Sequence, residues 1–144
     1  MIEFRVDRSG GRPKPNCGIS ILVNSRPLGD LAREIEGPFA DAEGHPELAG
    51  GYLGLSWGDI SERPEHFLGS PSAVWFEDGD TVLMGCVCGQ WECWPLTADI
   101  AIDDTSVQWS HFRNGHRDWD LTGLGPFTFD RGQYESALAI LADI

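Results

Sequence analysis

The sequence predicts an α+β protein: a mainly antiparallel sheet of about five to six strands, one face covered by two helices, one of them C-terminal. Three observations predict it. Short apolar runs over residues 73–112 alternate with turn residues, the pattern of a strand meander. The C-terminal segment has apolar side chains at helical spacing behind a capping residue. At 144 residues the chain is one domain by length, 1–144, and long enough to bury a core.

The elements follow in order. Ile2-Glu3-Phe4-Arg5-Val6-Asp7 alternates and reads as a strand with Ile2, Phe4 and Val6 inward. A loop rich in Gly and Pro follows, carrying Arg8, Arg12 and Lys14, and Ile19–Val23 is a second strand. Asn24 and Ser25 ahead of Pro27 signal a helix start, and Leu28, Leu31, Ala32 and Ile35 keep helical spacing. Gly37-Pro38 is expected to stop that helix, so it spans Leu28 to Glu36. Residues 39–51 have no period and read as loop. Tyr52–Trp57 reads as a short strand weakened by Gly54, and Asp59–Pro71 as loop with one helical turn around Pro64–Leu68.

Within the meander, Ala73–Glu77 is a strand, Asp78-Gly79 a two-residue hairpin turn, and Asp80–Cys88 the return. Gly89–Glu92 turns into Cys93–Ile102, and Asp103-Asp104 turns into Thr105–Phe112. These turn lengths set Cys88 opposite Cys93, Ala98 opposite Trp109 and Ile102 opposite Thr105. Alternation then gives a core face with Val74, Phe76, Leu83, Val87, Trp94, Leu96, Val107, Trp109 and also His111, with Gly85 leaving room opposite Leu96. The second face carries Trp75, Val82, Met84, Cys86, Cys88 and Cys93. At the C-terminus Asp130 caps a helix over Arg131–Ala142, with Gln133 three residues on and Phe129 placed to staple Tyr134. Tyr134, Ala137, Leu138 and Leu141 form its apolar face.

Net charge is −13, which excludes free nucleic acid and anionic membrane surfaces as partners, because both are repelled. Residues 64–112 contain eight acids and no Lys or Arg. Such a stretch is either a solvated face or a surface that steers a basic protein. Met1–Arg5 lacks the basic start and apolar run of a signal peptide, and no apolar stretch approaches the ~20 residues of a membrane span. A cytoplasmic location is therefore expected, with the four cysteines as reduced thiols or metal ligands.

Cys86, Cys88 and Cys93 give C-x-C-x4-C, a candidate zinc or thiol site. Structural zinc sites use two-to-four-residue spacings at turns and a fourth ligand. Here two thiols share a strand, His111 falls on the opposite face, and Cys17 is remote in sequence. Free cysteines acting as small apolar residues are the plainer reading. Cys88 facing Cys93 also suggests oxidation, against the acidic neighbourhood, which opposes a thiolate. None of His45, His66, His111 and His116 stands in a pattern that makes a nucleophile–base pair. His116-Arg117-Asp118-Trp119-Asp120 reads as a ligand-binding cluster or, more plainly, as a loop pinned by Trp burial and an Arg–Asp pair. No glycine-rich stretch follows a strand and opens a helix as phosphate loops require.

The stretches GCVCGQWECWPL (85–96) and GPFTFDRGQYESAL (125–138) resemble the pattern of a family of small bacterial proteins. The resemblance implies that the hairpin and the final helix form one unit, and it brings no activity with it. With no catalytic set, the expected function is a non-catalytic, acidic, cytoplasmic protein-binding protein. The concrete form is an immunity-type inhibitor of a basic toxin domain such as a nuclease. Trp75 or Trp91 would anchor the partner, and Glu92, Asp99, Asp103 and Asp104 would speed its association. The alternatives are a zinc-binding or thiol-dependent protein using Cys86, Cys88 and Cys93, and a structural subunit whose mixed face makes a homodimer.

Overall fold

A computed structural model describes residues 1–6 and 17–142; the loop with Arg8, Arg12 and Lys14 lies outside them. The described residues form three helices and two antiparallel sheets, an α+β architecture as expected. The first sheet is β1 (Ile2–Val6), β2 (Ile19–Val23) and β3 (Arg26–Pro27) in that order. The second is a five-strand meander of β4 (Tyr52–Gly54), β5 (Asp80–Cys86), β6 (Leu96–Ile102), β7 (Ser106–Asn114) and β8 (Phe127–Asp130). The helices are α1 (Leu28–Ala42), α2 (Trp57–Glu62) and α3 (Arg131–Ala142). No described helix is long and apolar enough to cross a membrane.

The alternation of β1 and β2 survives: Ile2, Phe4, Ile19, Ile21 and Val23 are buried. They meet the inward residues of the second sheet and α3 in an aromatic centre. Phe4 lies 5.1 Å from Phe67 and 5.8 Å edge-on from Tyr134, and Trp109 lies 5.3 Å from Phe129. The Tyr134 hydroxyl, fully buried, donates to the Phe67 carbonyl at 2.6 Å and accepts from Trp109 Nε1 at 3.2 Å. The α3 start is built as predicted. Asp130 Oδ2 accepts from Gln133 N at 2.9 Å, and the Phe129 and Tyr134 rings lie 5.8 Å apart. The Gln133 side chain does not close a capping box. It accepts from Ile2 N at 3.0 Å and donates to Ile2 O at 2.7 Å, tying α3 to the outer edge of β1.

Several local expectations are corrected. Residues 73–77 are not a strand, and Asp78-Gly79 is not a two-residue hairpin. The buried Asp80 carboxylate takes the N–H groups of Trp75 (2.9 Å) and Phe76 (3.1 Å), curling the segment back on itself. The partner of β5 on that side is β4, with Tyr52 opposite Cys86 and Gly54 opposite Met84. The first helix does not stop at Gly37-Pro38. It runs through Pro38 to Ala42, because Leu28, Ala32, Glu36 and Ala40 recur every four residues and are all buried. The packing of that stripe outweighs the one backbone bond that Pro38 forgoes. Residues 57–62 are helix, where Trp57 was expected to end a strand and Asp59 to begin a loop, and Phe127–Asp130 is a strand.

Register also differs. Four residues, 103–106, separate the paired Ile102 and Val107, and Ile100 faces Trp109. Asp103 closes the turn by accepting from Thr105 N (2.9 Å) and Ser106 N (2.7 Å). The shift from the expected pairing is two residues, which preserves the faces, and Val107 and Trp109 are fully buried. Further on, a bulge intervenes between the Thr97–Arg113 and Asp99–Ser110 pairs. His111 sits in it at φ 55° and is exposed, while Phe112 and Asn114 turn inward. The expected place of His111 on the core face is therefore overturned by one extra residue.

Candidate functional site

The loop from Cys86 to Trp94 leaves β5 and returns as β6. It is not the plain four-residue hairpin expected. Gly89, at φ 95°, makes the first turn, with Gly89 N donating to Cys86 O at 3.1 Å. A 3-10 turn over Trp91–Cys93 follows. The loop folds back so closely that a Cβ on Gly85 would stand 2.4 Å from the Trp91 Cα. Gly85 therefore makes room for Trp91, not for Leu96.

Beside this loop lies a cleft of about 920 Å3. One wall is Gln90, Trp91 and Glu92; the other is Leu53 of β4 with Asp59, Glu62 and Arg63 at α2. Leu53, Asp59, Glu62 and Glu92 are exposed, and Trp91 is half-buried. Among the described residues the three acids of the cleft have no ion-pair partner. Among the described residues every other arginine is paired with an acid, as in Arg117–Glu43 at 2.9 Å and Arg113–Asp78 at 2.8 Å, whereas Arg63 has no acid partner. Among its described lining residues the cleft thus has two more carboxylates than cations.

No family model, curated protein or solved structure matches the chain. The site is therefore read from its own chemistry.

The three thiols gather on the loop. Cys86 is half-buried, and Cys88 and Cys93 are exposed. Cys88 N donates to Cys86 Sγ at 3.3 Å, Cys88 Sγ donates to Gln90 O at 3.7 Å, and Cys93 Sγ donates to Gln90 Oε1 at 3.9 Å. The Cys88 thiol is held below its ordinary value by backbone hydrogen bonding at Gln90, then by the Cys86 and Cys93 thiols. Burial raises Cys86, and the Cys88 sulfur raises Cys93. Among the described residues no group of three or more His, Cys, Asp or Glu is placed to hold a metal ion. Cys88 and Cys93 are not cross-strand neighbours in the sheet; the loop, not strand register, brings them together.

The expected partner-binding residues do not make one patch. Trp91 and Glu92 line the cleft. Trp75 is half-buried, its Nε1 donating to Gly115 O at 2.9 Å, with its ring 4.8 Å from His116. Asp99 is engaged with His111 Nδ1 at 3.2 Å and stands 4.0 Å from Arg113. Asp103 is spent on its own turn, whose backbone and side-chain donors hold its carboxyl below the usual range. Asp103 and Asp104 lie at the far end of β6 from Glu92, a seven-residue strand away, or roughly 20 Å.

Sequence reading missed Asp59, Glu62 and Leu53. A signal was present: Ser56-Trp57-Gly58-Asp59 has the S-x-x-D form of a helix start. Ser56 does stand at the N-cap of α2, though its side chain makes no capping bond.

Around His116 the loop-pinning reading holds with a change of partner. Trp119 is buried and stacks on Phe39 at 6.2 Å, and its Nε1 donates to Glu43 Oε2 at 2.6 Å. Arg117 pairs with Glu43, not with a neighbouring Asp, and lies 5.2 Å over Trp94. A polar chain runs inward from here. His116 N donates to Asn114 Oδ1 (2.8 Å), Asn114 Nδ2 donates to the Tyr52 hydroxyl (3.0 Å), and that hydroxyl donates to Glu36 Oε2. Gly50 N donates to Glu36 Oε1 at 2.8 Å. Burial pushes the Glu36 carboxyl up, and the two donors oppose it. Every polar group of this chain has its partner, so it reads as a structural spine fixing α1, β4 and β7.

Proposed function

We propose that the chain is a non-catalytic acidic protein that binds a basic partner protein, as an immunity-type inhibitor binds a toxin domain. The observation that carries this is the cleft: Asp59, Glu62 and Glu92, unpaired among the described residues, line it together with Trp91 and Leu53. Aromatic and apolar side chains next to charged ones are the residue types from which protein interfaces are built. The net charge of −13 would raise the encounter rate with a basic surface. Of the residues expected from sequence, Trp91 and Glu92 keep a place in this reading, as anchor and as steering charge. A cytoplasmic location belongs to the same proposal.

The test is affinity capture of the partner from the native host, followed by association kinetics with the purified pair. The captured protein is expected to be basic, and its association rate to fall steeply as salt rises. The combined substitution Asp59→Lys, Glu62→Lys and Glu92→Lys should slow association by about ten-fold or more, with the fold intact by circular dichroism. A partner whose rate ignores both salt and these substitutions would overturn the reading.

A further inference from the structure

Partner binding leaves the thiols of the Cys86–Trp94 loop unused, and their arrangement has a chemistry of its own. Gln90 holds two of them at once: its backbone oxygen accepts from Cys88 Sγ at 3.7 Å and its side-chain oxygen accepts from Cys93 Sγ at 3.9 Å. The same backbone oxygen also accepts from Cys93 N at 3.1 Å, which sets the Cys88 sulfur beside the Cys93 backbone. Both thiols are exposed, and they bracket one turn. Cys86 is placed differently. It is half-buried at the end of β5, paired with Tyr52, and its sulfur accepts the Cys88 N–H. A bridge between Cys86 and Cys88 would have to close within two residues of one chain, where the Cβ spacing that a disulfide needs is hard to reach.

We infer that Cys88 and Cys93 form a reversible disulfide, made by exchange with a small disulfide compound and broken by a small dithiol. The Cys88 thiolate attacks one sulfur of the compound. The old S–S bond breaks, one half leaves as a thiolate that takes up a proton, and a mixed disulfide remains on Cys88. The Cys93 thiolate then attacks the Cys88 sulfur and expels the second half, which is protonated in turn. In sum, two cysteine thiols lose two electrons and two protons, and the small disulfide gains both. The bridge closes the loop across Gln90 and fixes Trp91 over Gly85, and with it one wall of the cleft. The exchange itself does not depend on the partner-binding reading.

The experiment uses the full reduced chain and hydroxyethyl disulfide, a neutral compound that the negative protein does not repel. After exchange, free thiols are alkylated and the protein is cleaved at Glu92, between the two cysteines. The expected product has lost two hydrogen atoms, carries a Cys88–Cys93 bridge joining the two peptides, keeps Cys17 alkylated, and reverts with dithiothreitol. Cys93→Ser should stop at a 2-hydroxyethylthio mixed disulfide on Cys88, whereas Cys86→Ser should still form the bridge. Circular dichroism of each variant establishes that it is folded. The inference is overturned by adducts on separate thiols with no bridge, by a bridge that uses Cys86, or by one zinc per chain that shields the three thiols until it is chelated.

Discussion

His66 shows how much one buried side chain can set. It is fully buried and makes a bond at each ring nitrogen: Nε2 lies 2.7 Å from Val82 O, and Nδ1 accepts from Ser72 N at 3.1 Å. A backbone N–H facing Nδ1 requires that nitrogen to be unprotonated, so Nε2 carries the proton and the ring is neutral. Burial holds its pKa below the ordinary value, against the smaller opposing pull of Val82 O. The sign follows from linkage. Below about pH 6.5 the unfolded chain binds a proton that the folded ring refuses, so stability is full above that pH and is lost as pH falls toward the folded value. The other three histidines are exposed. Thermal melting should therefore fall with pH just below 6.5, and His66→Gln should flatten that part of the profile while costing about 1–2 kcal/mol at neutral pH. An unchanged slope in the variant would show that another group is responsible. Glu36 has the opposite sign: its pKa is raised, so its cost appears as pH rises from the ordinary carboxylate value and is complete above the folded value. The difference between wild type and His66→Gln isolates the histidine.

At the scale of elements, two glycines decide how strands and loops meet. Gly54 lies where β4 passes the start of β2; a Cβ there would stand 1.9 Å from Ile19 O. The same crossing carries the Ile19 N to Leu55 O bond at 2.8 Å and the bridge between Gly18 and Ser56. It is a backbone junction between the two sheets. Gly54→Ala should open it at a cost of about 3 kcal/mol, measured by urea unfolding. Gly85→Ala meets the Trp91 backbone instead. It should displace the Cys86–Trp94 loop, shift Trp91 fluorescence and cost less, because a surface loop yields more easily than a sheet junction. If Gly54→Ala unfolds at the same urea concentration as wild type, the two sheets are not joined there.

For the whole molecule the governing quantity is charge. With −13 net and every described arginine but Arg63 already paired, the remaining acids repel one another across the surface. Sodium chloride should screen that repulsion and raise the melting temperature by roughly 2–4 °C, equivalent to about 1 kcal/mol for a chain of this size. The gain should shrink as pH approaches the isoelectric value near 4.4. A melting temperature that falls with added salt at neutral pH would mean that the paired charges outweigh the repulsion.

The sequence by itself determined the α+β class, strands β1, β2 and β4 to β7, the capped and stapled α3, and the acidity. Each rests on local information: period, turn residues or charge, all readable within a few neighbouring positions. The Cys86–Trp94 loop was legible as a place but not as a shape. Tertiary structure decided what depends on distant partners. Asp80 reaching back to Trp75 and Phe76 turned an alternating run into a curl, and the buried stripe from Leu28 to Ala40 carried α1 past a proline. A single bulge at His111 exchanged inside for outside beyond it. The cleft joins α2 to a loop about thirty positions later, and no local pattern brings Asp59 and Glu62 to Trp91. Side-chain alternation fixes a face only relative to its own strand; which strand lies beside it, and with what register, is settled by packing between segments far apart in the chain.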